Sequence, residues 1–516
     1  MATVIFPAFE PDKNRFNEGA SPEMRNVVPV SDGWAPLSSP NPATPLLGFL
    51  TDEFGNPLSD EVTGDFIVTG PDGDPLTGEV TLPETCVGSF FARTDDGSSR
   101  AFFATATKIY EYDFTEKTFT DVSGPSAPYA VNGRVSFEQF GSKVYAQNGV
   151  DPEQVIDVEV GTVFADNSTA PISAYLKTVG DFLVRARLTD DPSAIQWSAL
   201  NDPTSNDAGL QGSDRQYFPE GNGISGIVST SYGAVIFCRD TIYQMSFALT
   251  SEFVFTFSPL TKFRGAIAPA AICSVGQDDF VFYAADGFYR GAAMSPIGAE
   301  RVNRWFRTQT TEGSRLAMTS AADYRNNTVW FRYQDALGAY KCLGYQWQLD
   351  KWVPPSDMDL VEMLRAATPA VTIDGLSDLY DSIDAMDITF DSSSLDGGSA
   401  ELGGITSDGY FAFLNGQPMA AVLATNELLL GGGRNVTING GRLLGDAVNH
   451  AATVTTTEYA GGPTRTRSAV RPTSRTKSLG ILADGRTHKL RLDIDEGETW
   501  TIVNGLEIDT FGTGKS

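Results

Sequence analysis

Apolar and polar positions alternate through residues 178–207 (TVGDFLVRARLTDDPSAIQWSALNDPTSND) in the pattern of a half-buried hairpin. Phe182, Leu183, Val184, Ala186 and Leu188 mark the first strand. Residues 189–192 supply a turn, two Asp and a Pro, and residues 194–198 a second strand carrying Trp197. Asn201, Asp202 and Pro203 then stop the pairing. The same unit recurs along the chain. Residues 99–122 give two strands with Tyr110 and Tyr112, a Thr-Glu-Lys turn and Phe119, and residues 137–157 repeat the theme around Val144, Tyr145 and an Asn148-Gly149 turn. Residues 233–246 turn at Arg239-Asp240, and residues 279–290 at Asp286-Gly287, a strong hairpin signal. Residues 326–354 close the series, with Trp347 and Trp352 flanking a charged turn as Tyr112 and Phe119 do. A spacing of roughly 40 residues is the scale of propeller blades rather than of most solenoids. It predicts a mainly β chain with a β-propeller core of five to seven blades over residues 86–370. No window sustains a helical apolar period beyond about two turns, and residues 356–367 (SDMDLVEMLRAA) are the best helical candidate.

Four further segments surround that core. Residues 1–50 read as an extended, Pro-rich arm whose apolar strand at 4–9 is expected to close the propeller ring. Residues 51–85 hold Asp52, Glu53, Asp60, Glu61, Asp65, Asp72, Asp74, Glu79 and Glu84 among Gly-Asn-Pro and Pro-Asp-Gly turns, with no base between Arg25 and Arg93. That predicts a protruding acidic loop or β-finger inserted between core strands. Residues 371–403 form an Asp-rich connector whose spacing suits Asx-type turns better than a calcium loop. From residue 404 to 516, alternation with Asn-Gly turns at 415–416 and 439–440 predicts an antiparallel β-sandwich. Its loop at 463–477 gathers Arg465, Arg467, Arg471, Arg475 and Lys477, a candidate contact for an acidic sister subunit.

Composition agrees with short strands and turns: 51 Gly, 28 Pro, 32 Phe and 17 Tyr. With 37 Lys plus Arg against 65 Asp plus Glu, the formal charge is −28, which repels phosphate backbones and argues against sequence-specific nucleic-acid binding. Cys86, Cys238, Cys273 and Cys342 are far apart, as buried reduced thiols would be, with neither a CxxC pair nor a disulfide framework. The first residues lack a basic leader and a long apolar core, and no apolar run approaches the 18 or so residues that span a bilayer. A protein folding in a reducing cytoplasm is expected.

Motifs for chemistry are few. Residues 221–226 (GNGISG) match a dinucleotide fingerprint, but the strand-like sequence after them offers no helix N-terminus for a pyrophosphate. Residues 514–516 resemble a P-loop ending, yet Asp509 stands where its first Gly belongs. His450 and His488 are the only histidines, and neither sits in a Cys/His/Asp cluster. No G-x-S-x-G elbow is present. No enzyme activity, metal or cofactor is expected.

Residues 14–29, 137–155, 196–205, 279–290 and 343–353, continued by 409–425 and 485–509, resemble in their order a family of tailed-phage virion proteins. The resemblance covers most of the chain apart from residues 51–85, and it is to the propeller-containing tail hub, or nozzle, of short-tailed bacteriophages. It implies a virion protein assembled in the bacterial host cytoplasm. In that role six copies would form a ring at the distal end of the tail tube, next to tail adaptor, tube and fibre proteins, and the genome would leave through it. Phage DNA would pass non-specifically. An acidic wall favours that passage, acting only within roughly 8 Å at physiological salt, so the acidic loop is a candidate channel lining. The family often has an aromatic three residues after the Pro of its Asn-Asp-Pro element, where this chain has Asn206. The alternative expectation is a host-surface protein that binds or degrades glycans.

Overall fold

The computed structural model describes residues 2–43, 48–49, 68–69, 78–95, 97–131, 133–248, 253–367, 400–459, 462–467 and 470–512. The chain is mainly β, with two short α-helices among the described residues, Asn303–Gln309 and Glu312–Leu316. Among the described residues seven four-stranded antiparallel sheets follow one another from residue 88 to residue 413, six of them meanders and the seventh completed by a strand from the N-terminal arm. Their first strands are Gly88–Arg93, Ser136–Phe140, Ser173–Val179, Ile224–Thr230, Cys273–Ser274, Thr319–Asp323 and Leu360–Ala367. Each first strand touches the next except between the fourth and fifth sheets, where the turn Pro269–Ala271 touches Ile224–Thr230 and Phe280–Ala284, and Leu360–Ala367 returns to Gly88–Arg93.

The hairpins form where alternation and turn residues put them. Phe182–Leu188 pairs with Ala194–Trp197, and Gly180, at φ 56°, makes the two-residue turn before them. A Cβ there would come within 2.7 Å of the Phe247 ring. Tyr112 lies opposite Phe119, and the equivalent pair in the sixth sheet is Tyr345 with Trp352, not Trp347 with Trp352. The aromatics bind sheet to sheet: ring centroids lie 5.4 Å apart for Phe102 and Phe164, 5.4 Å for Phe182 and Phe255, 5.2 Å for Phe237 and Phe282, 5.0 Å for Phe288 and Phe331, and 4.7 Å for Tyr112 and Phe411. An apolar cluster fills each junction between consecutive sheets, and another joins the seventh sheet to the first.

The second and third sheets meet differently. Arg185 and Glu153, both fully buried, form a bidentate ion pair with two 2.7 Å bonds. Arg185 also donates to Asn206 Oδ1 at 2.6 Å and to the Pro203 carbonyl at 3.0 Å. Glu153 also accepts from Asn167 Nδ2 at 2.8 Å and from Gln147 Nε2 at 3.3 Å. Asn206 thus supplies an amide oxygen that completes a buried arginine's bonding.

Three sequence expectations are corrected. Residues 360–367 are a strand, not a helix: Leu360, Val361, Met363, Leu364 and Ala366 are buried on both faces, so their spacing imitates a helical stripe. Residues 4–9 do not join the core sheets; Ala2–Ile5 pairs with Val503–Gly512, and Asn41–Pro42 from the same arm is the fourth strand of the seventh sheet. Residues 404–413 pair in the seventh sheet too, so the pairing of the C-terminal unit begins at Ala421–Ala424.

The C-terminal unit holds a five-stranded and a seven-stranded sheet, each completed by the arm: Met24–Arg25 enters the first, and Val27–Val30, Gly33–Pro36 and Ala2–Ile5 enter the second. Apolar residues of both sheets, of the arm and of the fifth and sixth sheets share one cluster. The Asp12 carboxylate receives the backbone N–H groups of Arg304 and Trp305, each at 2.7 Å, which fixes the arm against the helix Asn303–Gln309.

Candidate functional site

The first strands of all seven sheets surround a cavity of about 1350 Å³. Among the described residues it carries Arg93, Arg134, Lys177, Arg187, Arg239, Arg332 and Arg365, against Glu138 and Glu362. In a chain of formal charge −28 this reverses the sign of the surroundings. The end where the first strands begin holds Arg134, Arg187, Arg239, Arg332 and Glu362. Arg134 lies two residues before Ser136–Phe140 begins, and Arg332 pairs with Thr319 at the start of its sheet's first strand. Arg187 sits at φ 57°, left-handed backbone inside a strand, and its Nη1 donates to the Ile224 carbonyl at 3.2 Å.

Glu362 is 4 % exposed and takes a fork from Arg134, at 2.5 and 2.9 Å, plus the Ser89 hydroxyl at 3.2 Å. Arg332 is 8 % exposed, its Nε has no hydrogen-bond partner among the described residues, and its Cζ lies 5.1 Å from the Tyr340 ring centroid. Burial holds the Arg332 guanidinium below its ordinary pKa; Glu362 opposes this and Arg134 adds to it. Burial also raises the Tyr175 phenol, with Arg187 and Arg239 acting against the rise. Toward the other end, Lys177 pairs with Glu138 at 2.9 Å and Arg365 stacks on Tyr324 at 4.7 Å.

The cavity thiols are poor nucleophiles. Burial pushes Cys273 up to about 12 and Cys86 higher still, and the remaining cysteines, Cys238 and Cys342, are buried with their pKa values raised as well. Among the described residues no three His, Cys, Asp or Glu side chains are placed to hold a metal ion, and no helix is long and apolar enough to cross a membrane. His450 and His488 are buried in the C-terminal unit, bonded through Nδ1 and Nε2 to the Ala447 and Val436 carbonyls at 3.0 Å each.

The residues singled out from sequence lie elsewhere. Asp52, Glu53, Asp60, Glu61, Asp65, Asp72 and Asp74 fall outside the described residues, as does most of the 371–403 connector. Glu79 bridges to Phe119 on the outermost strand of the first sheet, and Glu84 receives the Thr107 hydroxyl at 2.9 Å; both are exposed and neither lines the cavity. Arg465 pairs with Glu458 at 3.0 Å and Arg471 with Asp495 at 2.7 Å, while Arg467, Arg475 and Lys477 are exposed on the same loop. Residues 219–221 form a 3-10 turn and Ile224–Thr230 is a strand, so the glycine motif opens no helix. The cavity arginines escaped the sequence reading because each stands alone in the chain. Their one signal was a cation inside an apolar strand, as Arg332 is in TVWFRYQ.

No protein-family model matches the chain, and no curated protein matches it. Among solved structures it is similar to a computationally designed protein, Ika8, at 10 % identity and a TM-score of 0.35, over 76 % of this chain and 99 % of that one. A puromycin-hydrolysing peptidase of Mycobacterium tuberculosis matches at 10 % identity and 0.35, over 68 % of this chain and 55 % of that one. An exo-β-1,3-galactanase of Phanerochaete chrysosporium matches at 9 % identity and 0.27, over 91 % and 100 %.

Proposed function

We propose that this chain is a non-catalytic building block of a ring, of the tail hub or nozzle kind found in short-tailed bacteriophages. In this reading the seven sheets are blades of a closed β-propeller and the two terminal sheets are an antiparallel sandwich. The cyclic order of first-strand contacts and the cluster joining the seventh sheet to the first support closure. The observation that carries the architectural role is the path of the N-terminal arm. It lends strands to both C-terminal sheets and to the seventh core sheet, tying propeller and sandwich into one block. A subunit that must transmit force within a virion needs such a tie, because separately folded domains joined by a linker move independently.

Residues 51–85 would face the lumen, Arg465, Arg467, Arg471, Arg475 and Lys477 would meet an acidic sister subunit, and adaptor, tube and fibre proteins would dock outside. DNA would pass between subunits, since a single propeller's centre is too narrow for a duplex. The test is the native mass and the particle image of the full chain: a homohexameric ring is expected. A monomer that cleaves a host-surface glycan overturns the reading. Deleting residues 51–85 should leave the ring assembled and alter genome release; unchanged release removes their role in the channel.

A further inference from the structure

We infer that the mouth of the central cavity where the first strands begin binds a phosphate-bearing small molecule. Arg134, Arg187, Arg239 and Arg332 line that mouth with one carboxylate among the described residues, Glu362, which Arg134 already occupies. Among the described residues Arg187, Arg239 and Arg332 form no ion pair with a carboxylate in the cavity mouth, leaving more charge than a monocarboxylate would balance and a good match to a phosphate dianion. Arg332 gives the independent indication. It is more than nine-tenths buried, it lines the cavity, and its Nε has no partner among the described residues. A buried cation is unfavourable unless something pairs with it, so its retention points to an anion. Left-handed backbone at Arg187 is local strain of the kind stored at binding sites.

The cavity, at about 1350 Å³, far exceeds one phosphate group, and Tyr175 and Tyr340 add an aromatic wall for an organic portion. Every group named belongs to one chain, so the site is the same in a monomer or a ring and stands whether or not the ring assignment does.

Titration calorimetry of the full chain with inorganic pyrophosphate tests this, with sodium acetate at matched ionic strength as the competing anion. Saturable binding that acetate fails to displace is expected. Arg332→Met should weaken it by about tenfold or more, the loss of one charge-assisted contact, while keeping or raising the melting temperature because a buried charge is gone. Arg239→Gln changes an exposed side chain at the mouth and should weaken binding several-fold with an unchanged melting temperature. Arg475→Gln, on the loop of the C-terminal unit, should bind like the parent. Absence of saturable heat, equal competition by acetate, or parental affinity in both cavity variants overturns the inference.

Discussion

Arg185→Met should destabilise the junction between the second and third sheets far more than a change of one surface arginine would. That junction has three buried apolar residues in its own cluster, Tyr145, Leu176 and Leu183, against fourteen in the cluster joining the third and fourth sheets. The ion pair therefore bears much of its cohesion. Truncating Arg185 leaves Glu153 fully buried with only Asn167 and Gln147 as donors, an uncompensated charge that costs about 3–5 kcal/mol. For a cooperative unit of 150–250 residues each kcal/mol lowers Tm by about 2–4 °C, so a drop of about 6–20 °C is expected. Glu153→Met should do comparable harm by stranding the guanidinium. The double variant Arg185→Met/Glu153→Met removes both charges and should recover part of the loss, giving a coupling of about 2 kcal/mol or more. Circular-dichroism melts and urea titrations of the four proteins measure this. Single variants costing less than about 1 kcal/mol with additive effects in the double would show that the network does not hold the sheets together.

His450 and His488 are buried, and burial depresses both below the ordinary 6.5, with backbone bonds opposing. The unfolded chain therefore binds protons below about pH 6.5 that the folded chain refuses, so this contribution leaves stability level above that pH and lowers it as pH falls. Melts from pH 7.5 to 5 should show the decline, and His450→Gln/His488→Gln should flatten it; an identical slope in that variant refutes the assignment. All four thiols are buried with raised pKa values, so a disulfide reagent at pH 8 should label none in the native protein and four in denaturant. Fast labelling of the native chain would contradict their burial. A Cβ at Gly505 would fall 2.0 Å from the Val4 carbonyl oxygen and 2.8 Å from Ile5 Cα. Gly505→Ala should thus push Ala2–Ile5 off its partner strand at about 1–3 kcal/mol and speed proteolysis of the arm, and an unchanged cleavage rate would place the arm elsewhere.

Much of the core was legible because its signals are local. Alternation, Asp-Gly and Asn-Gly turns and paired aromatics located the hairpins at 99–122, 182–198, 233–246 and 279–290 with strand ends close to those observed. Burial of the four cysteines and the lack of a helix after residues 221–226 were legible for the same reason. Residues 360–367 misled because a strand covered on both faces loses its alternation, and its five apolar positions then fit a helix as well.

The sequence by itself determined that the chain would be a series of short antiparallel hairpins with an acidic surface, since period, turn chemistry and net charge act over a few residues or over the whole composition. Tertiary structure alone decided which distant strands meet. Asn41–Pro42 completes a sheet begun at residue 360, and Met24–Arg25 and Ala2–Ile5 complete sheets begun beyond residue 420. It also decided that Arg134, Arg187, Arg239 and Arg332, spread over some two hundred residues, face one cavity. Backbone pairing needs only an open strand edge, and charge convergence needs only proximity, so neither leaves a spacing rule in the sequence.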